Sequence, residues 1–410
     1  MKYKLLVLDV DGTLLDEKNE ITPSTLTTLI KVQQMGIRIL LASGRSTHGL
    51  MPVAVTLELA RYGGFILSYN GGQIFDMESG GLIFERRMDP QYIPYIEKQA
   101  AANGLAIMTY RKDTIITSCA ADRHVIDEAA RNGMRVEEVA DFASAVTFNP
   151  CKCVLVGDDM DAIERVHGKL SKRLTGSFDV LRSEPYFLEV VPPQINKADT
   201  LGVLMEHLSI GAEGIVAIGD GLCDIGMIQV AALGIAMGNA PLAVKRCADY
   251  TTATNGEDGV ALAVEEHIIS RIRPADIPLE QMNISARNAL MGNLGIQYTY
   301  ASEDRVEATM PVDERTRQPF GILHGGATLA LAETVAGFGS MILCRPDEIM
   351  VGMQVSGNHL SSAREGDTVR AVGTIIHKGR SSHVWNVDVF ASTGKLVSSV
   401  RVVNSILKKR

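Results

Sequence analysis

The sequence predicts an α/β domain built on a parallel sheet, interrupted by an inserted α/β cap and followed by a separate α+β domain. Three observations carry this. Apolar strands alternate with helical stretches from Lys4 to about Asn70, and the same alternation returns from Asn196 to Asn239. A stretch of different texture, roughly Leu82 to Phe187, lies between them. Beyond a segment at 271–283 where proline and charge rise and periodicity lapses, the pattern becomes one long helix and several strands. The 410 residues exceed what one hydrophobic core usually serves, in keeping with several domains.

In chain order, KLLVLDV is a strand, 24–35 a helix ending at Gly36, IRILLASG a strand, and GFILSYNG a strand after a further helix. The middle stretch holds helix-like runs at 91–103, 122–132 and 159–170 between short strand-like ones. NKADTLGVLMEHL is then a helix, and GIVAIGDG and LGIAMGN are strands ending in glycine turns. These elements place the first domain at 1–82 and 188–270, the cap at 83–187, a linker at 271–282 and the last domain at 283–410. The last domain should carry a helix at 324–344 and strands near 350–358, 368–377, 383–391 and 396–407. The closing Lys408, Lys409 and Arg410 form a solvated tail or lie near a phosphate.

Composition bounds the partners. With 46% hydrophobic and 21% charged residues and no apolar run approaching the ~20 residues of a membrane span, the chain is expected to be soluble and to need no membrane. A net charge of -8 argues against a nucleic-acid partner, which calls for a basic face. The N-terminus begins directly on a strand, and the six cysteines show no metal-ligand spacing, so a cytoplasmic chain with free thiols is expected.

The first strand ends in Asp9-Val10-Asp11-Gly12-Thr13, which puts two carboxylates, two residues apart, at the end of the sheet where open α/β folds bind ligands. Close carboxylates favour a divalent cation, and Mg²⁺ suits oxygen donors shared with phosphate and water. Asp220 and Asp224 follow another strand, Ser43 in LASGR closes a third, and Lys197 opens a helix. Singly, Asp9 is open to a capping role, Ser43 and Asn70 to turns, and Lys197 to the surface. Jointly they supply metal carboxylates, a hydroxyl and a cation, the groups that phosphoryl transfer needs.

These four motifs resemble the haloacid dehalogenase superfamily, and within it the phosphatases with a large α/β cap, over about residues 1–270. The resemblance implies a Rossmann-like core, Asp9 as the nucleophile forming an aspartyl-phosphate, and Asp11 as acid and then base. It implies that Ser43 and Lys197 hold the phosphoryl group, with Asn70 among the substrate contacts. It also implies Mg²⁺ bound by Asp9, Asp220 and the Asp11 carbonyl, supported by Asp224, and a small phosphorylated metabolite as substrate. Cys223 departs from the family's usual asparagine, which predicts a less firmly held loop because a thiol bonds weakly.

In the last domain, Leu323-His324-Gly325-Gly326 precedes the long helix, so the N–H near Gly325 points outward at the positive end of the helix dipole. Glu333 lies eight residues on, among Leu329, Ala330, Leu331, Ala332, Val335 and Ala336, where burial would raise its pKa. A rise of ~1.5 Å per residue separates the two by about 12 Å, too far to share one carbonyl. Two such helices about a two-fold axis bring Glu333 of one protomer to Gly325 of the other. The wording MPVDERTRQPFGILHGGATLALAET and NHLSSAREGD resembles the hotdog-fold acyl-CoA thioesterases, specifically the 1,4-dihydroxy-2-naphthoyl-CoA thioesterases of menaquinone synthesis. That implies Glu333 as nucleophile or base, Gly325 N–H polarising the thioester, and Gln318 and His324 orienting it. It implies His359 near the acyl group or water, and Arg364, Lys378, Arg380 and Ser381 as candidates for the CoA phosphates. It implies an acyl-CoA substrate and a homodimer or homotetramer. At Gly337 and Phe338, relatives often carry small or hydroxylic residues lining the acyl pocket.

Overall fold

The computed structural model describes residues 3–272, 274–345 and 347–409. The chain forms two compact units, one of residues 2–264 apart from 34–36, the other built on 265–410.

The first unit opens with β1 (Leu5–Leu8), β2 (Arg38–Ala42), β3 (Phe65–Ser68), β4 (Gln73–Asp76) and β5 (Gly81–Glu85). The cap then supplies β6 (Ala106–Arg111), β7 (Thr114–Thr117), β8 (Arg135–Glu138), β9 (Cys153–Val156), β10 (Asp179–Glu184) and β11 (Phe187–Val191). The chain returns through β12 (Ile215–Gly219), β13 (Leu233–Ala236) and β14 (Tyr250–Thr251). The core sheet runs β14-β13-β12-β1-β2-β3-β4-β5, parallel from β14 to β3 and antiparallel at its last two strands. Every residue of β1 and β12 is buried, as strands covered on both faces require. Their carboxyl ends therefore lie side by side, bringing Asp9 and Asp220 together.

The cap sheet runs β10-β11-β9-β6-β7-β8. Its helices Arg123–Asn132 and Met160–Leu174 start where Asp122 and Asp159 accept hydrogen bonds from the first-turn N–H groups. Sheet membership shifts both expected seams. β5 pairs with β4 through Glu85, so the core extends past residue 82, and β11 pairs with β9 and β10, so 188–191 belong to the cap. Ladder hydrogen bonds decide this, and a short apolar strand does not announce its partner in sequence.

The second unit contains β15 (Gln297–Ala301), β16 (Arg305–Pro311), β17 (Glu348–His359), β18 (Thr368–Lys378), β19 (Ser382–Phe390) and β20 (Leu396–Lys408) in the order β15-β16-β18-β19-β20-β17. All neighbours are antiparallel. The helix Gly325–Leu343 lies against this sheet and buries Leu331, Ala332, Val335, Ala336 and Phe338. β15 and β16 were not foreseen among the expected strands, nor was the helix Leu279–Ser285, which occupies the expected linker and packs Leu279 and Met282 on the core. The helix Gly325–Leu343 is also long and apolar enough to cross a membrane, contrary to the expected absence of such a run. Its apolar residues are spent instead on the sheet.

Beneath that helix, Ser340 accepts hydrogen bonds from Trp385 Nε1 and Asn404 Nδ2, both at 2.9 Å, and Asn404 Nδ2 also donates to the Ala336 carbonyl. Gly339 makes this close approach possible, since a Cβ there would lie 2.4 Å from two atoms of the Trp385 ring. Gly339→Val should destabilise the second unit by about 2–3 kcal/mol through overpacking. Trp385 is the only tryptophan, so urea unfolding followed by its fluorescence reads this unit. An unchanged midpoint would contradict the packing described.

Candidate active sites

At the carboxyl ends of β1 and β12, Lys197 Nζ sits 2.6 Å from both Asp9 Oδ1 and Asp224 Oδ1. The helix Lys197–Leu208 brings the lysine there, its first turn capped by the Asn196 side chain. Lys197 is 1% exposed and Asp224 fully buried. Ligand oxygens of Asp9, Asp220 and Asp224 lie within 4.8 Å of one another. Burial and then the Asp224 charge push the Asp9 pKa well above its ordinary value, while Lys197 pulls it down. Asp220 is likewise raised, chiefly by burial. Burial alone would lower Lys197, yet Asp224 and Asp9 hold its ammonium well above its usual value. Three carboxylates against one ammonium leave an excess of negative charge that a hard divalent cation relieves.

The four carboxylates divide by what already binds them. Asp224 commits one oxygen to Lys197 and the other to the N–H groups of Asp220 and Gly221, at 3.1 and 2.8 Å, and so holds the loop. Thr13 Oγ1 donates to Asp220 Oδ1 at 2.6 Å. Gly12 has φ +80°, and a Cβ there would meet Asp220 Oδ2 at 2.6 Å, so the turn of the DVDGT segment needs its glycine. Asp9 shares its Oδ1 with Lys197 and lines the cleft. Cys223 is exposed and contributes only a weak 3.7 Å contact to Asp224 Oδ1, so the loop expected to be less firmly held is fixed by Asp224 instead.

Asp11 lines the same cleft, and Arg45 binds it with two nitrogens, Nε at 2.8 Å from Oδ2 and Nη2 to Oδ1. Arg45 Nη1 also donates to the carbonyl of Arg131 on the cap at 3.2 Å. Sequence reasoning missed Arg45, although it stands two residues past Ser43 in the same loop. Ser43 is buried, and its hydroxyl accepts from the Arg45 N–H at 3.1 Å. Asn70, at φ 55°, donates its N–H to the Ser43 carbonyl. Asp9, Asp11, Ser43, Arg45, Asn70, Lys197, Asp220 and Asp224 line one cleft of about 450 Å³, whose far wall the cap supplies.

Within the second unit, His324 caps the helix Gly325–Leu343, its Nδ1 accepting from Gly326 N–H at 2.8 Å. Gly325 occupies the first helical position, where the N–H has no acceptor in its own helix. His359 stands over it: a Cβ on Gly325 would lie 2.6 Å from His359 Nε2. The other ring nitrogen of His359 is 2.8 Å from the buried Ser398 hydroxyl. Gln318 forms the neighbouring turn, its N–H donating to Ile322 and its carbonyl accepting from Gly321. Gln318, His324, Gly325 and His359 are thus brought to one end of the helix.

Glu333 is not with them. It lies beside Gly352 of β17, where a Cβ would sit 2.8 Å from Glu333 Oε1. The expectation that its helix buries it is corrected: Leu331, Ala332, Val335 and Ala336 form the buried face, and Glu333 projects off it, exposed in the single chain. Phe338 turns into the core against Tyr298, ring centroids 4.3 Å apart, and Gly337 faces Met350.

The phosphate candidates separate as well. Lys378 and Arg380 line a cavity of about 680 Å³ with Arg345, Lys408 and His383. His383 is 4% exposed, its Nδ1 has no partner, and burial and Lys378 lower its pKa. Arg364 pairs instead with Ile322 beside the Gln318 turn, and Ser381 is an exposed residue whose carbonyl accepts from Ile406. Arg345 and His383 gave no sequence signal, and Lys408 of the basic tail is exposed, its Nζ 3.8 Å from Asp347 Oδ2. Arg410 lies outside the described residues.

Comparison with known proteins agrees with both halves. Residues 6–264 match the haloacid dehalogenase-like hydrolase family and residues 320–398 the thioesterase superfamily. A solved haloacid dehalogenase-like hydrolase from Bacteroides thetaiotaomicron is 46% identical, covers 64% of this chain and 99% of its own, and superposes with a TM-score of 0.63. Over 131 residues the chain is 40% identical to the 1,4-dihydroxy-2-naphthoyl-CoA hydrolase of Escherichia coli K12, covering 32% of this chain and 96% of that protein. Over 129 residues it is 38% identical to the proofreading thioesterase EntH of Cronobacter turicensis, covering 32% and 93%. The chain belongs to the haloacid dehalogenase-like hydrolase family, and joins that phosphatase domain to a second hydrolase domain of the acyl-CoA thioesterase type.

Proposed function

We propose that the chain is a cytoplasmic bifunctional hydrolase. In this reading the first unit is a Mg²⁺-dependent phosphatase of a small phosphorylated metabolite, and the second hydrolyses an aromatic acyl-CoA, 1,4-dihydroxy-2-naphthoyl-CoA of menaquinone synthesis. The observation that carries the phosphatase half is the convergence of Asp9, Asp220 and Asp224 on Lys197. Asp9, Asp220 and the Asp11 carbonyl would hold Mg²⁺, which supplies charge neutralisation at the transferring phosphoryl group. Asp9 attacks phosphorus, while Ser43 and Lys197 bind the phosphoryl oxygens. Asp11 passes a proton to the leaving oxygen, then takes one from the water that releases Asp9. Six free cysteines accord with a reducing compartment.

For the thioesterase half, Gly325 N–H polarises the thioester carbonyl, and Glu333 attacks it or activates water. The pairing is made between protomers of a homodimer or homotetramer. Its support is β17, a long edge strand with Ile349, Val351 and Met353 exposed, against which Glu333 lies. Lys378 and Arg380 are the candidates for CoA phosphates, within the basic cavity. Likeness to the Escherichia coli hydrolase favours the naphthoyl substrate, and likeness to the proofreading thioesterase favours a second reading with another aryl-CoA.

Asp9→Asn should abolish phosphatase turnover, as should chelation of the metal, leaving acyl-CoA hydrolysis intact. Glu333→Ala should lower acyl-CoA hydrolysis by about 10³-fold or more and spare the phosphatase. Both rates are measured on one preparation, and joint loss from either substitution would contradict independent sites. Separately, Gly325→Ala should drive the His359 ring aside and reduce acyl-CoA hydrolysis by about 10-fold or more. Unchanged turnover would remove this helix end from the mechanism.

A further inference from the structure

Resting on the phosphatase reading for its activity readout, we propose a second ligand site in the first unit: a cavity between core and cap, apart from the catalytic cleft, binds a flat aromatic monocarboxylate that restrains the cap. The cavity has a volume of about 690 Å³, in the range that takes a small molecule, and seams between domains are where such sites commonly form. Met51, Tyr69 and Gln73 of the core line it together with Tyr110, Phe148 and Cys151 of the cap. Tyr69 and Tyr110, 8% and 6% exposed, meet edge to face across the seam with ring centroids 5.6 Å apart. Tyr110 borders the catalytic cleft as well, so one side chain is common to both walls. The carboxylates that would hold Mg²⁺ take no part in this lining.

The lining sets the ligand's chemistry. Tyr69, Tyr110 and Cys151 are buried, and Met51 and Phe148 half-buried, which gives apolar and aromatic surface for a ring to cover. Cations stand at the rim, and most are already paired. Arg87 holds Glu85 at 2.6 Å, Arg111 holds Glu137 at 2.6 Å, and the lining carboxylate of Asp113 holds Arg135 at 2.8 Å. Lys112 is exposed and, among the described residues, has no carboxylate partner, while exposed His48 adds a ring hydrogen-bond donor from the core. One uncommitted ammonium beside aromatic surface suits a ring bearing a single negative charge, and the two charges of a phosphate ester would find only one. A ligand seated between core and cap favours the arrangement in which both walls are in place. The same two bodies wall the catalytic cleft, so product leaves it more slowly. An aryl carboxylate is also what the second unit would release in the proposed reading, so the fusion would supply this effector from its own chain.

The probe is 1-hydroxy-2-naphthoate, added to the full chain with Mg²⁺ while hydrolysis of p-nitrophenyl phosphate is followed. At saturation it should lower kcat by about 5-fold or more without raising KM, whereas orthophosphate, which enters the cleft, should raise KM alone. Lys112→Glu should weaken this inhibition by about 10-fold or more and keep turnover without the naphthoate within about 2-fold of wild type, and Lys112→Arg should retain the inhibition. Polarisation of the naphthoate's own fluorescence in the same titration reports occupancy independently of turnover, and Lys112→Glu should lose one site per chain that wild type has. Inhibition that acts by raising KM, or that Lys112→Glu leaves intact, would overturn the proposal. So would matching polarisation titrations of the two chains, or a wild type that binds the naphthoate at this site with kcat unchanged. Wild type that leaves p-nitrophenyl phosphate uncleaved would instead sink the phosphatase reading, and the site would then stand or fall on the polarisation titration.

Discussion

The rigidity of one helix sets the terms for the second unit. A helix holds Gly325 and Glu333 about 12 Å apart, at ~1.5 Å per residue, and no rearrangement of loops shortens that distance. Everything around each residue agrees with the separation. Gly325 is gathered with His324, Gln318 and His359 at the helix start, while Glu333 lies two turns on against Gly352 of the sheet-edge strand. The first residue of the helix thus carries an N–H with no acceptor in its own helix, and a position two turns on carries an exposed carboxylate.

The first unit answers the opposite constraint. Its carboxylates do not need to be brought from elsewhere, because strands β1 and β12 are parallel neighbours whose ends coincide. The difficulty there is repulsion. Asp9, Asp220 and Asp224 crowd one buried spot, and the fold offsets this with Lys197, with backbone N–H groups on Asp224 and with Thr13 on Asp220. Asp11 is kept out of that crowd by Arg45, whose third contact reaches the cap. The same guanidinium therefore meets both the Asp11 carboxylate and the domain that covers it.

Legibility in sequence followed how local each signal was. Asp9, Asp11, Ser43 and Asp220 stand at the ends of strands, and Lys197 opens a helix behind a capping asparagine, so spacing alone placed them. Helix starts at Asp122, Asp159 and His324 were readable for the same reason. Residues that matter only by juxtaposition were invisible: Arg45 against Asp11, Tyr69 against Tyr110, and His383 in the basic cavity. Glu333 shows the converse error. Its apolar neighbours in sequence implied burial, but a 3.6-residue period sends them to one face and the carboxylate to another. Strand partnership was equally non-local, which is why β5 and β11 crossed the expected seams.

In the proposed reading the two halves differ in completeness: the phosphatase site closes within one chain, whereas the thioesterase site is assembled from two. Subunit complementation tests that claim most directly. Chains carrying Glu333→Ala and chains carrying Gly325→Ala, differently tagged, are refolded or expressed together and the mixed oligomers isolated. Each parent alone should be severely impaired in acyl-CoA hydrolysis. A composite site predicts that a statistical mixture recovers about a quarter of wild-type activity, since half the dimers are mixed and each restores one of two sites. Mixed oligomers no more active than the average of their parents would contradict a site shared between protomers.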